Sequence, residues 1–293
     1  MPSLKEVRGR IISVNSTQQI TKAMKMVSAA KLRRAQESIT RFRPYAEKLN
    51  TILANLSATV DQSADNPYGE EREVKNVLVV VVTSDRGLAG PFNSNIAKAV
   101  NSLISSDFKN LPKENITLLC IGKKGYEYFS KRGAKVIGDY STLFHNLSFS
   151  TARPAAELAM DGFLKGEYDR VDIVYNEFKN VATQIIRKER LLPVEKKEEV
   201  TTTKTANVDY IFEPSREEIV SELIPKSIKV KFYKAILESN ASEHGARMSA
   251  MDKATENAKE LLKELRLTYN RSRQAAITKE ILEIVGGAEA LAG

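Results

Sequence analysis

The longest regular pattern of hydrophobic positions lies in the C-terminal third of the chain, between Leu237 and Ala276. Small or apolar residues recur there at alternating steps of four and three, a spacing that keeps one face of a helix against a single partner helix. The members of this seam are Leu237, Ala241, His244, Met248, Met251, Thr255, Ala258, Leu262, Leu265, Tyr269, Ser272 and Ala276. Ala, Thr, Ser and His let two helices approach closely but bury little apolar area. The pattern predicts that residues 213–293 form a long coiled-coil helix.

Residues 1–60 carry a second pattern of the same kind. Its apolar positions are Leu4, Val7, Ile11, Val14, Ile39, Phe42, Ala46, Leu49, Leu53 and Leu56, with the polar Gln18 and Thr21 between the two groups. Ser3 and Glu6 have the spacing of a helix-capping box. Pro44 predicts a bend, because the pattern continues on both sides of it. Two long helices at opposite ends of one chain, each with one seam, predict an antiparallel coiled coil.

The middle of the chain, residues 74–212, has a different period. Asn76–Thr83 is a continuous β-branched run, typical of a strand that is buried on both faces of a parallel sheet. Further strands are predicted at 116–121, 134–137, 171–176, 183–191 and 209–212, and helices at 93–105, 125–132 and 151–164. The alternation predicts a small Rossmann-like α/β domain with a mostly parallel sheet. The polar stretch 61–73 is expected to be a linker, and 193–208 an excursion from the domain.

Positive charge is concentrated in the first 60 residues. This segment holds eleven Lys and Arg against three Glu, a surplus of eight that accounts for the whole net charge of +8. Such a field predicts an acidic partner along the segment, and nucleic acid, an anionic membrane surface and an acidic protein collar all remain open. No membrane span and no secretory signal are expected, and the single cysteine, Cys120, favours a reducing compartment.

Few residues offer catalytic or cofactor chemistry. The turn Ser84–Gly90 follows the first strand, where a doubly wound fold would bind a phosphate, but it lacks the GxGxxG spacing. Cys120 lies within a predicted buried strand, and His145 and His244 provide no zinc-ligand spacing. The chain is therefore expected to be no enzyme and to hold no cofactor or metal. Two functions remain open as alternatives at this point: a nucleotide-binding α/β enzyme and a basic coiled-coil nucleic-acid-binding protein.

Several motifs resemble the gamma subunit of F-type ATP synthases of the bacterial type. They are Ile20–Val27 in the N-terminal helix, Ser84–Leu88 after the first strand, and Ala241–Thr255, Tyr269–Ala275 and Ile277–Ala290 in the C-terminal helix. These motifs occur in the family's order and spacing, whereas residues 100–210 match in pattern alone.

The resemblance implies a non-catalytic rotor of the central stalk. In that family the two helices form an asymmetric coiled coil inside a ring of three alpha and three beta subunits. The α/β domain and the epsilon subunit stand on the membrane ring of c subunits. Rotation driven by ion transport takes each beta subunit through its open and closed states, which makes ATP. The expected location is peripheral, at the cytoplasmic face of a bacterial inner membrane, and a lone cysteine excludes the thiol switch of the plant-type subunit.

The resemblance also assigns contact residues. Those matched to beta-subunit contacts are Arg273, Gln274 and Thr278, which hydrogen-bond a loop of an empty beta subunit, and Met24, Lys22, Lys25 and Lys31, which lie near an acidic lever. Tyr210 and Glu213 match the foot that meets the polar loops of the c ring. A nucleic-acid binder would instead show an affinity that falls steeply with salt, and the enzyme alternative predicts saturable binding of ATP, NAD or FMN.

Overall fold

A computed structural model describes residues 3–57, 66–181, 183–194 and 216–292. Its helices are α1 (Leu4–Ser57), α2 (Phe92–Ser106), α3 (Lys123–Ser130), α4 (Phe149–Leu164) and α5 (Arg216–Ala292), and its strands are β1 (Val77–Val82), β2 (Ile116–Ile121), β3 (Lys135–Ile137), β4 (Arg170–Phe178) and β5 (Gln184–Leu192). The chain divides into two compact units. Unit 1 consists of Met1–Ala29 and Arg247–Gly293, and unit 2 of Ala30–Ala246.

The two long terminal helices are confirmed. The Ser3 hydroxyl oxygen accepts a hydrogen bond from the Glu6 amide at 3.2 Å, which caps α1. Pro44 lies inside α1 and Pro225 inside α5, and both helices continue past their proline.

Within unit 1, α1 and α5 run antiparallel. Thr21 contacts Thr255, and Lys25, one turn further along α1, contacts Asp252 on the preceding turn of α5. Val7 on α1 and Ala258 and Leu262 on α5 are buried, as the seam predicts. The other predicted seam positions of α5 from Thr255 to Ala276 are half-buried.

The α/β domain lies in unit 2 and contains one sheet with the strand order β3-β2-β1-β4-β5. The first four strands are parallel, and β5 pairs antiparallel with β4. This confirms the predicted mostly parallel sheet. The strand predicted at 209–212 lies outside the described residues.

Helices cover both faces of this sheet. Successive β1 side chains point to opposite faces, so that Val79 packs with α2 residues such as Ile96, whereas Val80 packs with Phe163 of α4 and Phe232 of α5. The part of α5 in unit 2 also contacts α1, where Val230 packs against Ala46 and Leu49. The sheet, α4, α5 and α1 therefore share a connected core within unit 2.

Helix starts differ from the predicted ones by one or two residues. The helix expected from Thr151 begins at Phe149, because the Ser148 hydroxyl accepts the Thr151 amide at 3.2 Å and caps the first turn. The helix expected from Gly125 begins at Lys123, since Gly122 takes a positive φ of 98° and ends the preceding segment.

Candidate functional site

Two polar contacts cross the coiled coil in the middle of unit 1. The Thr21 and Thr255 side-chain oxygens are 2.8 Å apart, and Thr21 is buried. The Lys25 ammonium donates to the Asp252 carboxylate at 2.5 Å. Both members of this ion pair are more than a third exposed, so the pair contributes little to stability. The other seam positions of unit 1 are mostly small or apolar, and the half-buried Gln18, Tyr269 and Ser272 are its further polar members.

The predicted contact residues of α5 all face outward in unit 1. Arg273, Gln274 and Thr278 are exposed. Arg273 forms no ion pair with any residue that the structure describes, so its guanidinium is available to an acceptor on another chain. A planar guanidinium with several donors suits bidentate recognition of carboxylates and backbone carbonyls.

The predicted contact residues of α1 have three different surroundings. Lys22 is exposed in unit 1, whereas Met24 is half-buried at the seam. Lys25 already has an intramolecular partner in Asp252. Lys31 belongs to unit 2 and is exposed there. The predicted c-ring residues, Tyr210 and Glu213, lie outside the described residues.

The last turns of α5 expose an apolar surface that the sequence analysis missed. Ile277, Ile281, Leu282, Ile284 and Val285 are 48–71% exposed. The antiparallel register pairs Thr21 with Thr255, so the start of α1 at Leu4 falls opposite the Ser272 turn, and α5 continues without α1 beyond it. The signal was present in the sequence, because a new series of apolar residues at steps of four and three begins at Ile277 and runs through Ile281 to Ile284.

The turn after β1 does not provide a nucleotide site. The Ser84 amide and hydroxyl both bond the Asn93 side chain, at 2.9 and 3.0 Å. Ala89 is buried against Phe92 and Ala246, which places α5 over the turn within unit 2. The predicted phosphate position is therefore occupied by the protein itself, and the enzyme alternative receives no support.

The other candidate groups for chemistry also have structural explanations. Cys120 is fully buried in β2, and burial raises the pKa of its thiol to about 12, so it stays protonated. His145 lies 3.3 Å from Asp85 on an exposed loop, and His244 is half-buried on α5. Among the described residues, no cluster of His, Cys, Asp and Glu could hold a metal ion, and no helix is long and apolar enough to cross a membrane.

Comparison with known sequences gives matches over the whole chain. A family model described as ATP synthase matches residues 3–291. The ATP synthase gamma chain of Cytophaga hutchinsonii is 68% identical over 99% of this chain and 99% of that relative. The ATP synthase gamma chain of Flavobacterium psychrophilum is 54% identical over 100% of both.

Solved structures with a similar fold come from mitochondrial ATP synthases. A chain in the central stalk and c-ring structure of Tetrahymena thermophila is 26% identical, with a TM-score of 0.55 over 80% of this chain and 99% of that chain. A chain in the OSCP, F1 and c-ring structure of Euglena gracilis, rotational state 3, has a TM-score of 0.67 over 98% and 94%, respectively. At 20% identity, this second likeness supports the fold alone.

Proposed function

Because this chain belongs to the gamma-subunit family of ATP synthases and is a central-stalk rotor subunit without catalytic activity of its own, we propose that α1 and α5 carry its contacts with the beta subunits. The observation that supports this most is the combination on α5 of exposed Arg273, Gln274 and Thr278 with an exposed apolar end. Apolar surface of this extent on one helix is characteristic of an interaction site. A ring of alpha and beta subunits around the end of α5 would cover it.

Basic side chains of α1 supply the second set of proposed contacts. Lys22 in unit 1 and Lys31 in unit 2 are exposed, and we assign both to the acidic lever of a beta subunit. Lys25 is a weaker candidate than the sequence predicts, because its ammonium bonds Asp252. Exposed ion pairs contribute about 0.2–1 kcal/mol each, so they can break and re-form as the rotor turns.

The remaining partners are proposed from the family. They are three alpha and three beta subunits, an epsilon subunit, and a c ring that Tyr210 and Glu213 contact. The corresponding location is peripheral, at the cytoplasmic face of a bacterial inner membrane. Gamma chains of bacterial relatives support this assignment.

Zero-length cross-linking tests the proposed contacts with beta. In the assembled complex, a carbodiimide is expected to join Lys22 and Lys31 to carboxylates of beta, and changing each lysine to Gln removes its cross-link. Lys25 is expected to give mainly the internal product with Asp252. Complexes in which neither Lys22 nor Lys31 reacts with beta would contradict the assignment of α1.

A further inference from the structure

One segment of α5 differs from the rest of the helix in how deeply it is buried. From Ala235 to Ala246 every residue in unit 2 is buried except Asn240 and His244, which are half-buried. In unit 1, by contrast, α5 is buried along a single stripe. A helix that is buried all round is held by other elements on every side. Here the α/β domain packs against Ala235 and Ile236, and α1 lines a small cleft with Leu237 and Glu238. This segment, residues 235–246, is called the joint below.

The first contact of the joint is made by Glu238. Its side chain is 5% exposed, and its carboxylate accepts the Phe178 amide, at the end of β4, at 3.2 Å. Arg43 of α1 approaches the other carboxylate oxygen at 3.9 Å. Burial raises the pKa of Glu238, while the Phe178 amide and the neighbouring cations Lys234 and Arg43 oppose that rise. One carboxylate therefore connects β4, α5 and α1.

Two neighbouring serines of the joint make no comparable connection. The buried hydroxyls of Ser239 and Ser242 have no hydrogen-bond partner among the described residues. A buried polar group without a partner costs free energy. Glu238, unlike these two serines, forms a hydrogen bond to the end of the sheet.

The second contact is a close approach at Gly245 and Ala246. A Cβ on Gly245 would lie 3.3 Å from the Phe178 ring and 3.7 Å from the Val181 Cα, so only glycine fits without displacement. Ala246 packs against Ala89 and Phe92. Phe178 therefore contacts the joint twice, through its amide and through its ring.

Both contacts lie at the carboxyl ends of β1 and β4. These two strands are neighbours in the sheet. The chain passes from β1 to β2 towards one edge and from β4 to β5 towards the other edge. Doubly wound domains bind their ligands at such a switch point. Here α5 fills the crevice. The domain holds a helix where related architectures hold a small molecule.

We infer that the joint is the fixed connection through which the α/β domain and α5 turn together, with Glu238 as its positioning residue. The inference rests on the rotor function proposed above. Torque applied to the α/β domain reaches α5 through the contacts of the joint. Because α5 continues as one helix from the joint into unit 1, it carries this torque further along the chain. The joint must therefore stay closed during each turn.

Substitutions at Glu238 test this in the assembled, membrane-reconstituted complex. Glu238→Leu removes the acceptor for the Phe178 amide, and loss of a buried hydrogen bond corresponds to about tenfold faster hydrogen exchange at that amide. ATP hydrolysis is expected to continue, while proton pumping per ATP falls. Glu238→Gln keeps an acceptor oxygen and is expected to retain most of the pumping ratio. The matched control, Glu222→Leu, changes an exposed glutamate of the same helix within unit 2 and is expected to leave the ratio unchanged.

A disulfide across the joint separates torque transfer from a purely structural role. A Cβ on Gly245 would lie 3.7 Å from the Val181 Cα, so Val181→Cys and Gly245→Cys bring two thiols close together, with a small shift of the Phe178 ring to accommodate the new Cβ, and buried Cys120 stays unreactive. Oxidation is expected to leave pumping intact in the otherwise wild-type chain and to restore the ratio in Glu238→Leu. An unchanged ratio in a well-assembled Glu238→Leu complex, or loss of pumping on oxidation, would overturn the inference. If the wild-type chain itself supported no pumping, the rotor function would fail instead.

Discussion

The hydroxyls of Thr21 on α1 and Thr255 on α5 meet across the coiled coil of unit 1, with their oxygens 2.8 Å apart. Each hydroxyl also lies within hydrogen-bond distance of a carbonyl of its own helix, Thr21 with Gln18 and Thr255 with Met251. The two hydroxyls have one proton each, whereas there are three oxygen–oxygen contacts. One of the three contacts therefore lacks a hydrogen bond at any moment. A polar pair within a seam of small residues sets the register of the two helices.

Valine substitutions test the energetic coupling of this pair. Thr255→Val alone is expected to lower the free energy of unfolding by up to about 1 kcal/mol, the net worth of one hydrogen bond. The double change of Thr21 and Thr255 to Val is expected to recover that loss, because two apolar groups of the same shape replace both partners. Urea unfolding followed by circular dichroism measures both values. Additive losses would show that the hydroxyls do not act as a pair.

Arg273 and Gln274 are expected to matter for coupling and not for assembly. Changing both to Ala should leave the yield of complex unchanged, since both side chains are exposed. Coupled ATP synthesis should fall about tenfold or more, because charge-assisted hydrogen bonds contribute about 1.5–3 kcal/mol each. Arg271→Ala, an exposed arginine on the same turn, is the control. Normal synthesis in the double variant would remove both residues from the contact site.

Gly122 is expected to tolerate no side chain. Its φ is 98°, and a Cβ there would lie 2.2 Å from the Thr83 carbonyl oxygen at the end of β1. Gly122→Ala should therefore cost more than about 3 kcal/mol of unfolding free energy. Gly133 has a φ of 71° with open space around it, so Gly133→Ala should cost only the backbone penalty of about 1–2 kcal/mol. Equal urea midpoints for the two variants would contradict this account of the turn.

Glu157 is expected to give a pH-dependent contribution to the stability of unit 2. Its carboxylate accepts from Lys229 of α5 and Arg153 of α4, both at 2.7 Å, and these bonds lower its pKa. A lowered pKa in the folded state stabilises above the unfolded-state value of about 4.3, and the effect is lost as the pH falls through the folded value. Glu157→Gln should then cost less than about 1 kcal/mol at neutral pH, since the site is partly exposed.

Urea unfolding over a range of pH checks the sign of this effect. The stability difference between wild type and Glu157→Gln should shrink towards zero in acid. Glu167→Gln, which changes an exposed glutamate just beyond α4, is the control for removing one carboxylate from the chain. A difference that grows as the pH falls would contradict the assignment.

The elements of the fold could be predicted from the sequence because their patterns are local. The run Asn76–Thr83 and the seam from Leu237 to Ala276 each specify a strand or a helix without reference to other segments. Burial follows the pattern in the strand and in the part of the seam that lies in unit 1, whereas from Leu237 to Ala246 the helix is buried almost all round.

Contacts between distant segments could not be predicted in this way. Lys25 and Asp252 pair because the register of α1 against α5 brings them together, and no single segment encodes that register. In the sequence Gly245 is a residue of low helix propensity. The structure shows that its lack of a side chain permits close approach to Phe178. The sequence shows the apolar residues from Ile277 to Val285, but their position beyond the start of α1 follows from the register that places Leu4 opposite Ser272.

Direct observation of rotation tests the central claim. A complex containing this chain would be immobilised through its beta subunits, with a probe attached to Lys109→Cys, an exposed position of the α/β domain. Buried Cys120 leaves the new thiol as the reactive one. On addition of ATP the probe should turn continuously in one direction. A complex that hydrolyses ATP at the normal rate while the probe stays still would contradict the rotor function.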